Sequence, residues 1–372
     1  LRLNKVFGAS VATLALSLSM VACGSDDGDG GSDADGGDFC GKNLAFLGAL
    51  TGDAGALGQN MVNGIELALK EYNADNADCK INLKKFDSQG SPDKAPALAT
   101  QIINDDTIFG LVGPGFSGES LATGKTFFEA GLPSISPSAT NVTITDQGWT
   151  TWHRVIGNDD AQGTADAKYL TETAGAKKVF VVDDGQDYSK GLAGKVKDSL
   201  GDALVDSDQI SVGDTNMSAI VQAVKSSGAD AVFYGGYYTE AGLLAKQLRQ
   251  GGFKGTFMSG DGSEDPNFVK VAGADGAEGA VLSAPAAPAP ADFGATGLYA
   301  TQAYDATNIF LAAIKDGVSD AQELNEFIGS YEGDGVSGPI AFDDKGDIKE
   351  SKIYAYFVKN GALDVENPEA IE

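Results

Sequence analysis

Histidine is almost missing from this chain: its 372 residues hold one, His153. A Ser-His-Asp triad needs its histidine between a nucleophile and an orienting acid, and a zinc site takes several His or Cys ligands. A single histidine between Trp152 and Arg154, in an expected strand, reads as structural. Hydrolytic and metal-dependent chemistry lose their usual means, and neither a metal nor a cofactor is expected. Basic residues are scarce too. Lys and Arg number 26 against 53 Asp and Glu, a formal net charge of −27. A surface this acidic repels phosphate backbones, so nucleic acid is not an expected partner. No apolar stretch after Cys23 is long enough to cross a bilayer.

What is present starts at the N-terminus. Leu1-Arg2-Leu3-Asn4-Lys5 is a short basic start, and Val6 to Ala22 is an apolar run with small residues that ends in Met20-Val21-Ala22-Cys23. That layout predicts a secretory signal peptide over residues 1–22. Its end resembles a lipobox, which implies a diacylglycerol on Cys23. The mature chain is then extracytoplasmic, held to the cell membrane by a lipid anchor only. Residues 23–39 form the tether: Gly24 to Asp38 reads GSDDGDGGSDADGGD and cannot bury a core. Its aspartates never complete an EF-hand spacing with a closing glutamate.

Cys40 and Cys79 each come just before an expected strand. If the two strands are parallel neighbours, their starts share one sheet edge. A disulfide is then feasible and an oxidising compartment keeps it; two free thiols are the alternative.

From Asn43 onward strands alternate with helices. Leu44–Leu50 reads as a buried strand. Gly58–Asn73 reads as a helix, with Val62, Ile65, Ala68, Leu69 and Tyr72 at three- and four-residue spacing. Strands Ile81–Phe86, Ile108–Val112 and Pro133–Ser136 follow, with a helix opened by Pro92 and another over Ser117–Ala130 between them. A second series runs from the helix Ala161–Ala174 to Phe257–Met258. A Pro/Ala-rich segment, Ser283–Ala291, precedes two helices and a strand-rich end, Pro339–Val358. Two α/β series imply two doubly wound Rossmann-like lobes. The late switch predicts a chain that crosses back: residues 40–158 plus 284–352 in lobe 1, and 159–283 plus 353–372 in lobe 2. Hinges are expected near Asn158, Ser283 and a strand before Ile353.

Ligands of open parallel sheets sit beyond the carboxyl ends of the strands. In lobe 1 those ends carry Thr51–Gly58, Gly113–Gly118 and Pro137–Thr140. They offer hydroxyls and N–H groups at a helix start, which suit a carboxylate. In lobe 2 they carry Asp183–Tyr188, Gly235–Tyr238 and Gly260-Asp261-Gly262. Phenols and an acid suit a cation. A small molecule with a carboxylate and an ammonium on one carbon fits the pair. Gly113–Gly118 matches G-x-G-x-x-G, but it follows the third strand, and the next strand ends in Ser136-Pro137 rather than an acid, so a dinucleotide is not expected.

With these turns in place the chain resembles the type I periplasmic binding proteins, and within them the leucine/isoleucine/valine-binding group that serves ABC transporters. The stretches that carry the likeness are Tyr234-Gly235-Gly236-Tyr237, Ala303-Tyr304-Asp305-Ala306, Asp159-Asp160-Ala161-Gln162-Gly163 and Gly338–Asp347. The resemblance runs from Asn43 to about Gly361 and implies roles. Ser117 would hold the ligand carboxylate through its hydroxyl and N–H. Ser138 would offer a backbone carbonyl, and Thr140 a hydroxyl and N–H. Tyr188 and Tyr237 would line the pocket from lobe 2, and Asp261 would pair with the ammonium.

Leu57, Phe116, Asp159 and Tyr299 are secondary candidates. Leu57 stands where some relatives carry an aromatic, while Phe116 and Tyr299 would be apolar walls. The Ser283–Gly297 segment is shorter than in relatives and implies a missing helix. The expected function is capture of a small amino acid, branched-chain or otherwise aliphatic, and delivery to an ABC permease by a monomer. The rivals are an amide, aromatic acid or polyamine on the same fold, a secreted enzyme, and a sensory co-receptor.

Overall fold

A computed structural model describes residues 39–371. The expected signal peptide, Cys23 and the expected tether up to residue 38 lie outside the described residues. The chain then builds β1 (Asn43–Gly48), α1 (Gly55–Asp75), β2 (Asn82–Asp87), α2 (Ala95–Ile103), β3 (Ile108–Val112), α3 (Ser117–Glu129), β4 (Ser134–Ser136) and β5 (Trp152–Arg154). These five strands form one parallel sheet in the order β2-β1-β3-β4-β5. β1 and β3 are buried along nearly their whole length, as continuous apolar strands covered by helices on both faces must be.

A second series supplies α4 (Asp159–Lys168), β6 (Val179–Asp183), α5 (Asp187–Leu200), β7 (Leu204–Gln209), α6 (Ser218–Ser227), β8 (Ala231–Gly235), α7 (Tyr238–Gln250), β9 (Thr256–Ser259), α8 (Pro266–Ala272), α9 (Ala274–Ala277) and β10 (Val281–Ala284). The chain returns to the first sheet as α10 (Ala300–Lys315) and α11 (Ala321–Gly329). A hairpin follows, β11 (Glu332–Gly335) with β12 (Gly338–Ala341), then β13 (Ile353–Lys359) and β14 (Ala362–Ile371). The second sheet runs β14-β13-β10-β9-β8-β6-β7. Its last two strands join antiparallel.

α10 docks on α1 so closely that a Cβ on Gly64 would lie 2.0 Å from the Ala300 carbonyl oxygen. Glycine is what lets the two backbones touch there. The return of the chain to the first half is thereby fixed by packing.

Both sheets reverse strand order, the first between β1 and β3 and the second between β6 and β8. Open α/β sheets take ligands at such switch points, beyond the strand ends. The chain passes between the halves three times, at residues 155–158, 285–299 and 349–352. The third passage is irregular chain, not the expected strand. Residues 285–299 carry neither helix nor strand.

Other differences have local causes. The helix expected to reach Ala174 stops at Lys168 and continues as a π turn, Tyr169–Thr173. The wider turn keeps Leu170 buried, and Gly175 at φ +72° ends the run. β14 is an edge strand rich in acids, with Pro368 in a stretch where the register with β13 slips. A proline cannot donate to a ladder and is tolerated at such a bulge, which is why this segment does not read as a strand.

Cys40 and Cys79 form a disulfide. β1 and β2 are parallel neighbours, so the bond ties their starts together, beside the Gly41 N–H to Lys80 carbonyl hydrogen bond of 2.9 Å. His153 is buried against Phe342, ring centroids 4.9 Å apart. Burial pushes its pKa down to about 4, so the ring is neutral.

Candidate functional site

β3 ends in Gly113-Pro114-Gly115, Phe116 follows in extended form, and Ser117 opens α3. The first N–H groups of a helix have no partner within it and attract an anion. Ser117 Oγ accepts the Asn141 N–H at 3.2 Å. This uses one lone pair and leaves the hydroxyl proton for another acceptor. Ser138, beyond β4, donates its hydroxyl to the Gly115 carbonyl at 2.5 Å, so its one proton is already spent.

The loop that carries these groups is held from beneath by Arg154, which is fully buried. Its guanidinium donates to the carbonyls of Ala139 (2.8 Å) and Asn141 (3.0 Å), to Thr145 Oγ1 (3.1 Å) and to the Asp347 carboxylate. Asp347 also accepts from Asn158 Nδ2 at 3.3 Å. The loop beyond β4 and the first passage between the halves thus share one ion pair, its arginine fully buried and its aspartate half-buried.

The second half contributes from the ends of β6, β8 and β9. Tyr188 lies in the first turn of α5, Tyr237 just precedes α7, and Asp261 follows β9. Tyr188 donates its hydroxyl to Asp261 Oδ1 at 2.7 Å and accepts the Gly262 N–H at 3.0 Å. Tyr299 donates to Asp261 Oδ2 at 2.5 Å. Tyr299 caps α10, which packs on the first half, so this bond crosses between the halves. So do the Asn141 Nδ2 bond to the Asp187 carbonyl at 2.6 Å and the edge contact of Phe116 with Tyr237 at 5.5 Å. Tyr299 sits at φ +71°. A bulky residue in that left-handed region costs about 1–3 kcal/mol, which its buried, hydrogen-bonded side chain offsets.

These groups enclose a cavity of about 10 Å³, the scale of one water. Gly115, Phe116, Ser117 and Ser138 line it from one side, and Tyr188, Tyr237 and Asp261 from the other, with Tyr299 bridging. Phe116, Tyr188 and Tyr237 also line a separate groove of about 330 Å³ whose walls include Gly118, Gln186, Asp187 and Lys190. Thr140, Leu57 and Asp159 do not reach the cavity wall. Leu57 is core on α1. Asp159 opens α4, where its N–H donates to the Thr140 carbonyl at 3.0 Å. Tyr299, expected as an apolar wall, instead spends its hydroxyl on Asp261. Asn141 carries no signal in the sequence, and Arg154 only that of a cation placed directly before the apolar pair Val155-Ile156.

Burial raises the pKa of Asp261, opposed by the Tyr299 and Tyr188 hydroxyls. Asp159 is pushed up to about 8 by burial and by Asp261; the nearby Thr140 hydroxyl and Arg154 oppose this. Neither Asp159 oxygen, nor Thr140 Oγ1, makes a well-formed hydrogen bond. Glu119, behind the start of α3, is likewise raised to about 8 by burial, against a hydrogen bond from Ser88.

These raised values set a pH dependence. Above the ordinary carboxylate range the unfolded chain has lost both protons, while the folded chain keeps them until about pH 8. Their contribution is full at low pH, declines as pH rises, and is gone above about 8. Thermal melts should therefore show a falling midpoint between pH 5 and 8. Glu119→Gln, which cannot titrate, should flatten that decline; an unchanged slope in the variant counts against Glu119.

Residues 43–362 match the family model described as periplasmic binding protein. The chain belongs to that family. The leucine-specific-binding protein of Salmonella typhimurium is 30% identical over 325 residues, covering 82% of this chain and 88% of its own. The leucine binding protein LivK of Thermotoga maritima superposes with a TM-score of 0.80 at 28% identity, over 88% of this chain and 98% of its own. LivJ of Streptococcus pneumoniae, a branched-chain amino acid transporter substrate-binding protein solved with isoleucine, gives 0.82 at 26%, over 89% and 99%.

Periplasmic binding proteins of this type are extracytoplasmic binding components, so the chain is not an enzyme. The fold is accordingly the type I arrangement of two doubly wound lobes. Among the described residues no helix is long and apolar enough to cross a membrane.

Proposed function

We propose that this protein captures a small α-amino acid between its two lobes and passes it to an ABC permease, anchored to the membrane by a lipid on Cys23 and working as a monomer. The observation that carries the reading is the cavity itself. Ser117, at a helix start with a hydroxyl proton to give, faces it from one lobe, and Asp261 faces it from the other. The first suits a carboxylate and the second an ammonium.

Each charge leaves water on closure and needs its own partner. The ligand docks on one lobe and the contacts of the other then favour the closed arrangement, a population shift set by differential affinity. Asn141–Asp187, Tyr299–Asp261 and Phe116–Tyr237 are the contacts that closing forms. The relatives named for leucine, and the one solved with isoleucine, support an amino-acid ligand.

A thermal-shift panel of amino acids and amides on the mature protein tests the reading. A ligand at 100 times its dissociation constant adds about 2.7 kcal/mol. A panel in which no amino acid shifts the melt rejects it.

A further inference from the structure

The helix start that Ser117 opens is held by a buried acid. Phe116 stands at the N-cap of α3 and has no side-chain oxygen to give the free N–H groups there. Glu119, three residues on, reaches back toward the Phe116 and Gly115 N–H groups, as the acid of a capping box does. Ser88, just past β2, donates its hydroxyl to Glu119 Oε1. The Ser88 N–H in turn donates to the Gly48 carbonyl at 3.0 Å, and its side-chain oxygen accepts the Gly90 N–H at 3.2 Å. One carboxyl thus ties the turn Gly115–Ser117 to the ends of β1 and β2.

Glu119 is fully buried, and no ion pair among the described residues reaches it. Its Oε2 has no hydrogen-bond partner. Burying a carboxylate without a cation is too costly, so the group is a neutral acid at ordinary pH. An ionised Glu119 would place a negative charge in the same helical turn as Ser117. It would draw on the positive end of α3 that a ligand carboxylate needs, and it would repel that carboxylate. The neutral acid holds the turn and leaves the helix end to the ligand.

We propose that Glu119 is a positioning residue for the ligand carboxylate, acting through the turn Gly115–Ser117, and that capture requires its carboxyl to be protonated. The inference rests on the amino-acid reading of the site given above. Burial holds the proton until about pH 8, so this requirement is met below that value and affinity falls as pH rises past it. The groups facing Glu119 do not supply the fall. Asp87, at the end of β2, is pushed up by burial but further down by the Thr51 hydroxyl and the Leu50, Gln89 and Thr51 N–H groups, so it stays charged. Tyr237, from the other lobe, is raised by burial and stays neutral. On α5, Asp187 approaches Gly118 and is paired with Lys190 at 3.5 Å. α2 carries no titratable residue. Asp159 and Asp261, both raised by burial, gain charge as pH rises and favour an ammonium, which is the opposite direction.

The test is calorimetric titration of the mature protein with the tightest amino acid of the panel at about pH 6.5 and about pH 9, repeated on Glu119→Gln, which keeps the shape and cannot titrate. The quantity read is the ratio of the dissociation constant at high pH to that at low pH. It should be about fivefold larger in the unaltered protein than in the variant, the size expected when the bound carboxylate raises the Glu119 pKa by about one unit. Titration of the ligand ammonium, Asp159 and Asp261 is common to both proteins and cancels. A glutamate that serves only the fold would weaken binding equally at both pH values, so equal ratios overturn the inference and leave amino-acid capture intact. Ser88→Ala removes a hydroxyl that favours the ionised form, so the fall in affinity should move to higher pH. A fall that stays in place counts against Glu119 even where Glu119→Gln fails to fold. Silence from every amino acid at both pH values rejects the functional reading, and this inference with it.

Discussion

Asp261→Ala weakens binding of the preferred amino acid by about 3–5 kcal/mol, the cost of leaving one member of a buried charge pair alone. That is roughly 150- to 4,000-fold in the dissociation constant. The size follows from the position. Asp261 is 1% exposed, and both its oxygens are taken by phenols. Among the cavity-lining residues it is the only acid, so no other carboxylate stands at the wall to take over the ammonium.

Alanine also strips Tyr188 and Tyr299 of their acceptor. Asp261→Asn separates the two effects. The amide keeps the shape and an acceptor but no charge, so it should retain most of the thermal stability while still losing most of the affinity. Calorimetry checks both. Unchanged affinity in the asparagine variant would mean that the ammonium is bound elsewhere.

Removing the disulfide lowers stability by about 4 kcal/mol. Cys40 and Cys79 are 39 residues apart, and the chain-entropy account gives that figure for a loop of this length. For a structure of this size the midpoint of thermal unfolding should fall by about 6 °C. The double variant Cys40→Ser/Cys79→Ser isolates the effect from other thiol chemistry. The bond lies at the starts of β1 and β2, whereas the cavity lies beyond the opposite, carboxyl ends of the strands. Ligand affinity should therefore stay within about twofold. A variant that melts with the unaltered protein would show that the β1–β2 edge is held as well without its crosslink.

The architecture was legible because period and punctuation agree along most of the chain. β3 was placed to the residue, since Ile108–Val112 is a short apolar run between a helix end and a glycine turn. β14 was not, because an edge strand needs no apolar alternation and its proline hides in a bulge. The short helices α8 and α9 were missed for lack of length, with seven and four residues to show a pattern.

At the site, the rule that ligands lie beyond strand ends reached Ser117, Ser138, Tyr188, Tyr237 and Asp261, all of which the structure brings to one cavity. It could not reach the side-chain bonding that spans the lobes. Tyr299 comes from a helix start, not a strand end. Its pairing with Asp261 joins residues 38 apart, and Asn141 meets Asp187 across 46. Such pairings depend on how two lobes meet, which local sequence pattern does not encode. Thr140 and Asp159 illustrate the converse: residues at strand ends and helix starts that fold into the joint behind the cavity rather than onto its wall.

The most direct test of the whole account compares one ligand with its blocked forms. The tightest amino acid of the panel is titrated into the mature protein alongside its N-acetyl derivative and its methyl ester. Each blocked form has lost one of the two charges. The account predicts one-to-one binding of the free amino acid, with both derivatives weaker by at least a hundredfold. If either derivative binds within a few-fold of its parent, that end of the ligand is not gripped, and the two-sided clamp built on Ser117 and Asp261 is contradicted.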